Sequence, residues 1–201
     1  TGTTTLVTSA DDATIVLDVA TNAFTGALTI TTNDSSGTDA DVTIDGGTTA
    51  LIIAASTIDG DLTLTSGNAS GITDSGTVTV GGNLSATTDA NAGVINLGTM
   101  AVDGTIALTT NSTGAATIVN DAALTFAAST VGGALAATAT TGNITDSGAL
   151  AITGTTTLVT SADDATIVLD VTTNAFTGAL TITTNDSSGT DADVTIDGGT
   201  T

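Results

Sequence analysis

Lys, Arg, His, Cys, Pro, Trp, Tyr and Glu are all missing from this chain of 201 residues. Each absence closes off a class of chemistry. Without His, Cys, Lys or Tyr, no serine or cysteine triad and no lysine Schiff base can be assembled. Paired Asp residues can hydrolyse glycosides, but such sites draw on basic and aromatic partners that this sequence lacks, so an enzyme is not expected. The lack of cysteine removes disulfides, zinc thiolates and thiol redox chemistry. All 21 charged residues are Asp, giving a net charge of −21 with no cation to offset it. That balance disfavours nucleic acid and anionic membranes and favours cations, basic partners and water. Apolar runs are short, as at 50–55, so no membrane insertion is expected. The chain opens on Thr1 rather than Met and shows no signal peptide, which reads as a mature segment or an excerpt.

What remains is a narrow alphabet. Thr (51) and Ser (14) make up about a third of the chain, alongside 24 Gly. Thr and Val carry a branched Cβ that packs well on a pleated surface. Gly, Asn and Asp tolerate the left-handed backbone of tight bends. The long helix formers Glu, Gln, Lys and Arg are absent. An acidic, hydroxyl-rich chain could be disordered, but a disordered chain should be poor in branched apolar residues, and here 40% of residues are hydrophobic. The composition therefore predicts an all-β fold.

Repeats organise that alphabet. Residues 1–49 recur as 153–201, an offset of 152, with Ala20 replaced by Thr172 as the single difference. Inside the 152-residue repeat lies an older duplication. ALIIAASTIDGDL (50–62) matches ALTFAASTVGGAL (123–135), and GITDSGTVTVGG (71–82) matches NITDSGALAITG (143–154). The long repeat, 1–152 with a partial second copy at 153–201, thus divides into two units of about 76 residues. They are 57–129 and 130–152 continuing into the equivalent of 1–56. Each splits into three coils, with boundaries at 57–80, 81–102, 103–129, 130–152, 1–24 and 25–56.

A coil opens on a strand such as GALTIT (26–31), GDLTLT (60–65) or GTIALT (104–109). Alternation puts Leu28 and Ile30, Leu62 and Leu64, or Ile106 and Leu108 on one face, with mostly Thr on the other. Asn or Asp follows, then a second short strand (15–17, 42–44, 94–97) and a third (78–80, 100–102, 124–126, 150–152). Three short strands per 22–32 residues describe one coil of a right-handed parallel β-helix, a β-solenoid of about eight coils running continuously through 1–201. With strands about 4.8 Å apart the rod would be about 38 Å long. An Ig-like sandwich would need a larger, aromatic-containing core and longer units.

The pattern GNITDSGALAITGTTTL (142–158) and the segment DGDLTLTSG (59–67) resemble the repeat regions of filamentous-haemagglutinin-like proteins and autotransporter adhesins of Gram-negative bacteria. The resemblance extends over the whole chain in composition and rhythm. It implies a secreted, surface-exposed β-helical rod, a structural repeat of a filament or giant adhesin stalk. Partners would be copies of the same chain or its own continuation in a longer rod.

Carboxylates cluster in the longest coil. Asp34, Asp39, Asp41 and Asp45 recur as Asp186, Asp191, Asp193 and Asp197. Hard oxygen ligands on a Gly/Ser-rich bend suit Ca²⁺, although the spacing is neither that of an EF-hand nor that of a Gly-Gly-x-Gly-x-Asp nonapeptide. The plainer reading is that these residues cap bends and keep the rod soluble. No cofactor is required, and calcium is the one that the residues suit. The pair Asp11–Asp12 is a smaller cluster of the same kind. A second function class follows from it, a calcium-dependent module binding carbohydrate or, through outward rows such as Thr63 and Thr65, ice. Those rows break at Ser85, Ala107 and Ala136, as ordinary solvated strand faces do.

Overall fold

The computed structural model describes residues 2–33, 35 and 39–199. Among the described residues the elements are strands and bends, and no helix is long and apolar enough to cross a membrane. The chain is an all-β solenoid in which parallel strands stack in about eight coils.

The strands alternate between two sheets. Thr4–Val7, Leu28–Thr31, Leu51–Ile53, Ile72–Asp74, Ile95–Val102, Ala116–Asn120, Leu135–Ala139, Thr156–Asp163 and Leu180–Asn185 follow one another up the first. Ile15–Leu17, Val42–Asp45, Leu62–Ser66, Leu84–Asn91, Thr105–Asn111, Leu124–Phe126, Ile144–Asp146, Ile167–Leu169 and Val194–Ile196 climb the second. Some rungs are broken into two short strands. Ser56–Ile58 and Val78–Val80 form a second row in the first sheet, and Ser129–Val131, Leu150–Ile152 and Ala175–Phe176 do so in the second. A coil therefore holds two strands or three. Where it holds two, the bend can fall inside a longer strand, as in Ile95–Val102, whose register shifts between Leu97 and Met100.

Register turns alternation into a core. Val42, Leu62, Leu84 and Ile106 are successive partners in one column, and Ile44, Leu64, Ala86 and Leu108 in the next. All eight are 0–1% exposed. Each fully buried branched side chain contributes about 1.5–3 kcal/mol, and no coil can bury its apolar face without its neighbours. The first column reaches Phe126, Leu124 beside it pairs with Ile144 and Ile144 with Ile167, and all of them belong to one buried cluster, so one core threads the solenoid.

Several polar groups inside the core are satisfied at the bends, while the buried Thr156 hydroxyl has no partner among the described residues. Ser56 Oγ accepts from Ile30 N and donates to the Ala54 carbonyl, and Ser129 Oγ does the same with Leu108 N and the Ala127 carbonyl. These two serines occupy matching places in the older duplication. Asn120 is fully buried, donating to the carbonyls of Val102 and Ala123 while accepting from Val102 N. At Gly71 the backbone is left-handed (φ 64°), and a Cβ there would run into the carbonyl of Val94 in the next coil. Only glycine fits that approach.

Candidate cation site

Most aspartates for which a bond is seen serve the stack itself. Asp41 Oδ1 accepts from Asp61 N (2.8 Å) in the next coil, and Asp61 Oδ1 accepts from Asn83 N (2.6 Å) in the one after. Asn83 Oδ1 continues the ladder by accepting from Thr105 N (2.8 Å). Asp74 accepts from Gly98 N and Thr99 N, and Asp146 from Asp170 N and Asn174 Nδ2. In each of the aspartate cases a charged acceptor satisfies an N–H of the following coil, a stronger bond than a neutral one.

The carboxylates singled out by composition fall into different roles. Asp41 belongs to that ladder. Asp45 and Asp197 close their own bends by accepting from Gly47 N (2.7 Å) and Gly199 N (2.8 Å). Asp39, Asp191 and Asp193 are exposed, and Asp34 lies outside the described residues. Among the described residues of the set, Asp186 is the one that enters a three-carboxylate group, with Asp163 and Asp164, one oxygen of each lying within 4.8 Å of the others.

The group is a product of one bend and one register. Strand Thr156–Asp163 ends in a corner where Asp164 adopts a left-handed conformation (φ 59°), which Asp tolerates better than most residues. The buried Thr160 hydroxyl donates across the corner to the Ala165 carbonyl (3.2 Å). The same corner recurs with Ala92 and Ser112 left-handed, and with Thr88 and Thr110 donating to Gly93 and Gly114. The backbone device is thus general, while the paired carboxylates belong to this coil and its copy at Asp11–Asp12. Asp163 pairs with Asn185 in the next coil, which brings Asp186 over the corner.

Asp163 accepts from Ser187 N at 2.6 Å. That bond, then one from the Ser187 hydroxyl, holds its carboxyl below the usual value of 3.8, against the opposing effect of burial. Asp164 is half-buried. Its Oδ2 faces Thr190 N at 3.4 Å, and its Oδ1 is buried with no hydrogen-bond partner among the described residues. Asp12 Oδ1, at the equivalent place, is in the same condition. Three close carboxylates repel one another, and a buried acceptor without a donor is costly. Both penalties are relieved by a hard cation, so Asp163, Asp164 and Asp186 are the residues that could hold Ca²⁺.

The sequence offered the Asp11–Asp12 pair and, by the 152-residue offset, its copy Asp163–Asp164. It did not show which downstream carboxylate the register sets against that pair. Elsewhere, a surface concavity of about 260 Å³ beside Gly98, Met100 and Val119 carries a single carboxylate, Asp121, and gathers no comparable set of groups.

A family model described as repeats of unknown function (DUF5649) matches residues 39–99 and 113–183. No curated protein and no solved structure matches the chain.

Proposed function

The chain belongs to the DUF5649 family of repeats of unknown function, and from that footing we propose that it is a structural segment of an extracellular, cell-surface rod, as in a filament or a giant adhesin stalk. The observation that carries this reading is the single core threading every coil, with the recent duplication laid end to end in it. A coil adds length without needing a new kind of interface, which suits a spacer. The likeness in rhythm to filamentous-haemagglutinin-like repeats supports the same place outside a bacterial cell. The absence of Lys and Arg, which leaves trypsin nothing to cut, supports it too. An antibody raised against the purified chain tests the location. Labelling of intact source cells is expected, and labelling that appears only after permeabilisation would overturn it.

A second reading, a calcium-dependent binding module for carbohydrate, is favoured by the convergence of Asp163, Asp164 and Asp186 and by the unpartnered Asp164 Oδ1. Under it, calcium raises the melting temperature of the wild-type chain, EDTA reverses the shift, and Asp164→Asn abolishes it. Equal melting curves with calcium and with EDTA would remove this reading.

A further inference from the structure

The recess of about 260 Å³ beside Gly98 lies in the middle of the stack, on coils paired on both sides. Ile95–Val102 sits between Ala116–Asn120 and the row Ile72–Asp74 with Val78–Val80, and Ala116–Asn120 pairs onward with Leu135–Ala139. The older duplication shows how the recess arises. Gly98 N and Asp170 N each donate to an aspartate of the preceding coil, Asp74 and Asp146, so the two positions are equivalent. The chain rejoins its column at Ala101, paired with Thr79, and at Ala175, paired with Ala151. Two residues, Thr99 and Met100, span that interval in one unit, and four, 171–174, in the other. The longer link turns through a bond from Asn174 N to the Val171 carbonyl (2.9 Å). The shorter one has no such turn, and the surface there is hollow.

Gly98 widens the hollow without being needed by the fold. Among the described glycines from Gly26 to Gly178, it alone has no atom within 4 Å of the place a Cβ would occupy. Its backbone is not left-handed either. A glycine inside a strand weakens the strand, and it marks a bend or a close approach. The bend between Leu97 and Met100 is made with no left-handed residue, which leaves the approach.

The lining defines what fits. Buried Met100 and half-buried Val119 give an apolar floor, and the hydroxyls of Thr77, Thr99 and Thr140 stand around it with the exposed Asp121. The Thr99 hydroxyl donates to Asp74 (2.6 Å) and keeps a lone pair to accept with. Asp121 is fixed through its backbone, its N–H donating to the Met100 carbonyl (2.9 Å) and its carbonyl accepting from the Thr141 hydroxyl. Its carboxylate has no hydrogen-bond partner among the described residues. We propose that the recess receives a lysine side chain of a basic partner protein. The aliphatic stem lies on Met100 and Val119, and the ammonium donates to Asp121 and the threonine hydroxyls. This chain holds no Lys, Arg or His to take that place, and its net charge of −21 draws a basic partner in. Arginine fits less well, because its rigid fork favours an aromatic face that the recess lacks. The inference goes beyond the rod reading, and its failure would leave the cell-surface test untouched.

An NMR titration of the purified chain at constant ionic strength tests it. The probe is the peptide Ala-Lys-Ala capped at both termini, with Ala-norleucine-Ala as the same stem without the charge. Saturating amide shifts at 77, 98–100, 119–121 and 140 are expected with the lysine peptide and not with the norleucine peptide. Asp121→Asn should weaken binding by about fivefold, the scale of one partly exposed ion pair. Gly98→Val, whose added Cβ meets no atom within 4 Å, should fill the hollow and abolish the saturating shifts. Unchanged wild-type amide positions at 28–66 and 150–169 are the folding control for both variants. Lysine-peptide shifts scattered over the aspartate bends, equal binding of the norleucine peptide or of methyl glucoside, or binding unaltered in Asp121→Asn would overturn the proposal.

Discussion

Single residues in this chain act across coils rather than along the sequence. Asn120 is the clearest case, a fully buried amide whose three bonds serve Val102 and Ala123. Replacing it with Leu strands buried backbone groups, each costing about 1–3 kcal/mol when left without a partner. Asn120→Leu should therefore destabilise by about 3 kcal/mol in denaturant unfolding, and a loss below about 0.5 kcal/mol would contradict this role. Asp163 makes a different kind of prediction. Its folded value lies below the usual 3.8 because Ser187 donates to it. The stability it contributes is complete above that unfolded value and is lost as pH falls through the depressed folded one. The melting temperature of Asp163→Asn should thus lie below wild type at neutral pH, and the gap should close under strong acid. A gap unchanged down to about pH 2 would show that the carboxylate's charge is not what matters.

Strands were the most legible level. Period-two runs such as GDLTLT put Leu62 and Leu64 inside and Thr63 and Thr65 outside, and burial follows that division. Leu64→Ala should accordingly cost about 2–5 kcal/mol, while Thr63→Ala should cost no more than about 0.5 kcal/mol; comparable losses for the two would contradict the assigned faces. The sequence told less about how a coil divides into strands. The expectation of three short strands assumed a break at every Gly, Asn or Asp. In Ile95–Val102 the chain passes Gly98 within one strand, because Asp74 of the preceding coil takes up the Gly98 and Thr99 N–H groups. That compensation comes from a residue 24 positions away and cannot be seen locally. The candidate cation site was half legible for the same reason. Asp186 was among the carboxylates singled out and the corner doublet was visible as the Asp11–Asp12 pair, but that the two meet depends on the pairing of Asp163 with Asn185.

Over the whole molecule, every argument above rests on successive coils lying directly on one another in parallel register. The absence of native cysteine allows a direct test. Thr63 and Ser85 are register partners on adjacent coils, as are Thr117 with Ala136 and Thr157 with Thr181. Strands about 4.8 Å apart place such partners within the Cα separation of about 4.4–6.8 Å that a disulfide spans. A pair displaced by two residues along the strand, Thr65 with Ser85, lies beyond about 7 Å and cannot be bridged without backbone movement. The measurement is thiol titration of four double-cysteine variants after mild oxidation. The account predicts intramolecular disulfides in the three in-register pairs and free thiols in Thr65→Cys/Ser85→Cys. Free thiols in the in-register pairs, or equal bridging in the displaced pair, would contradict it.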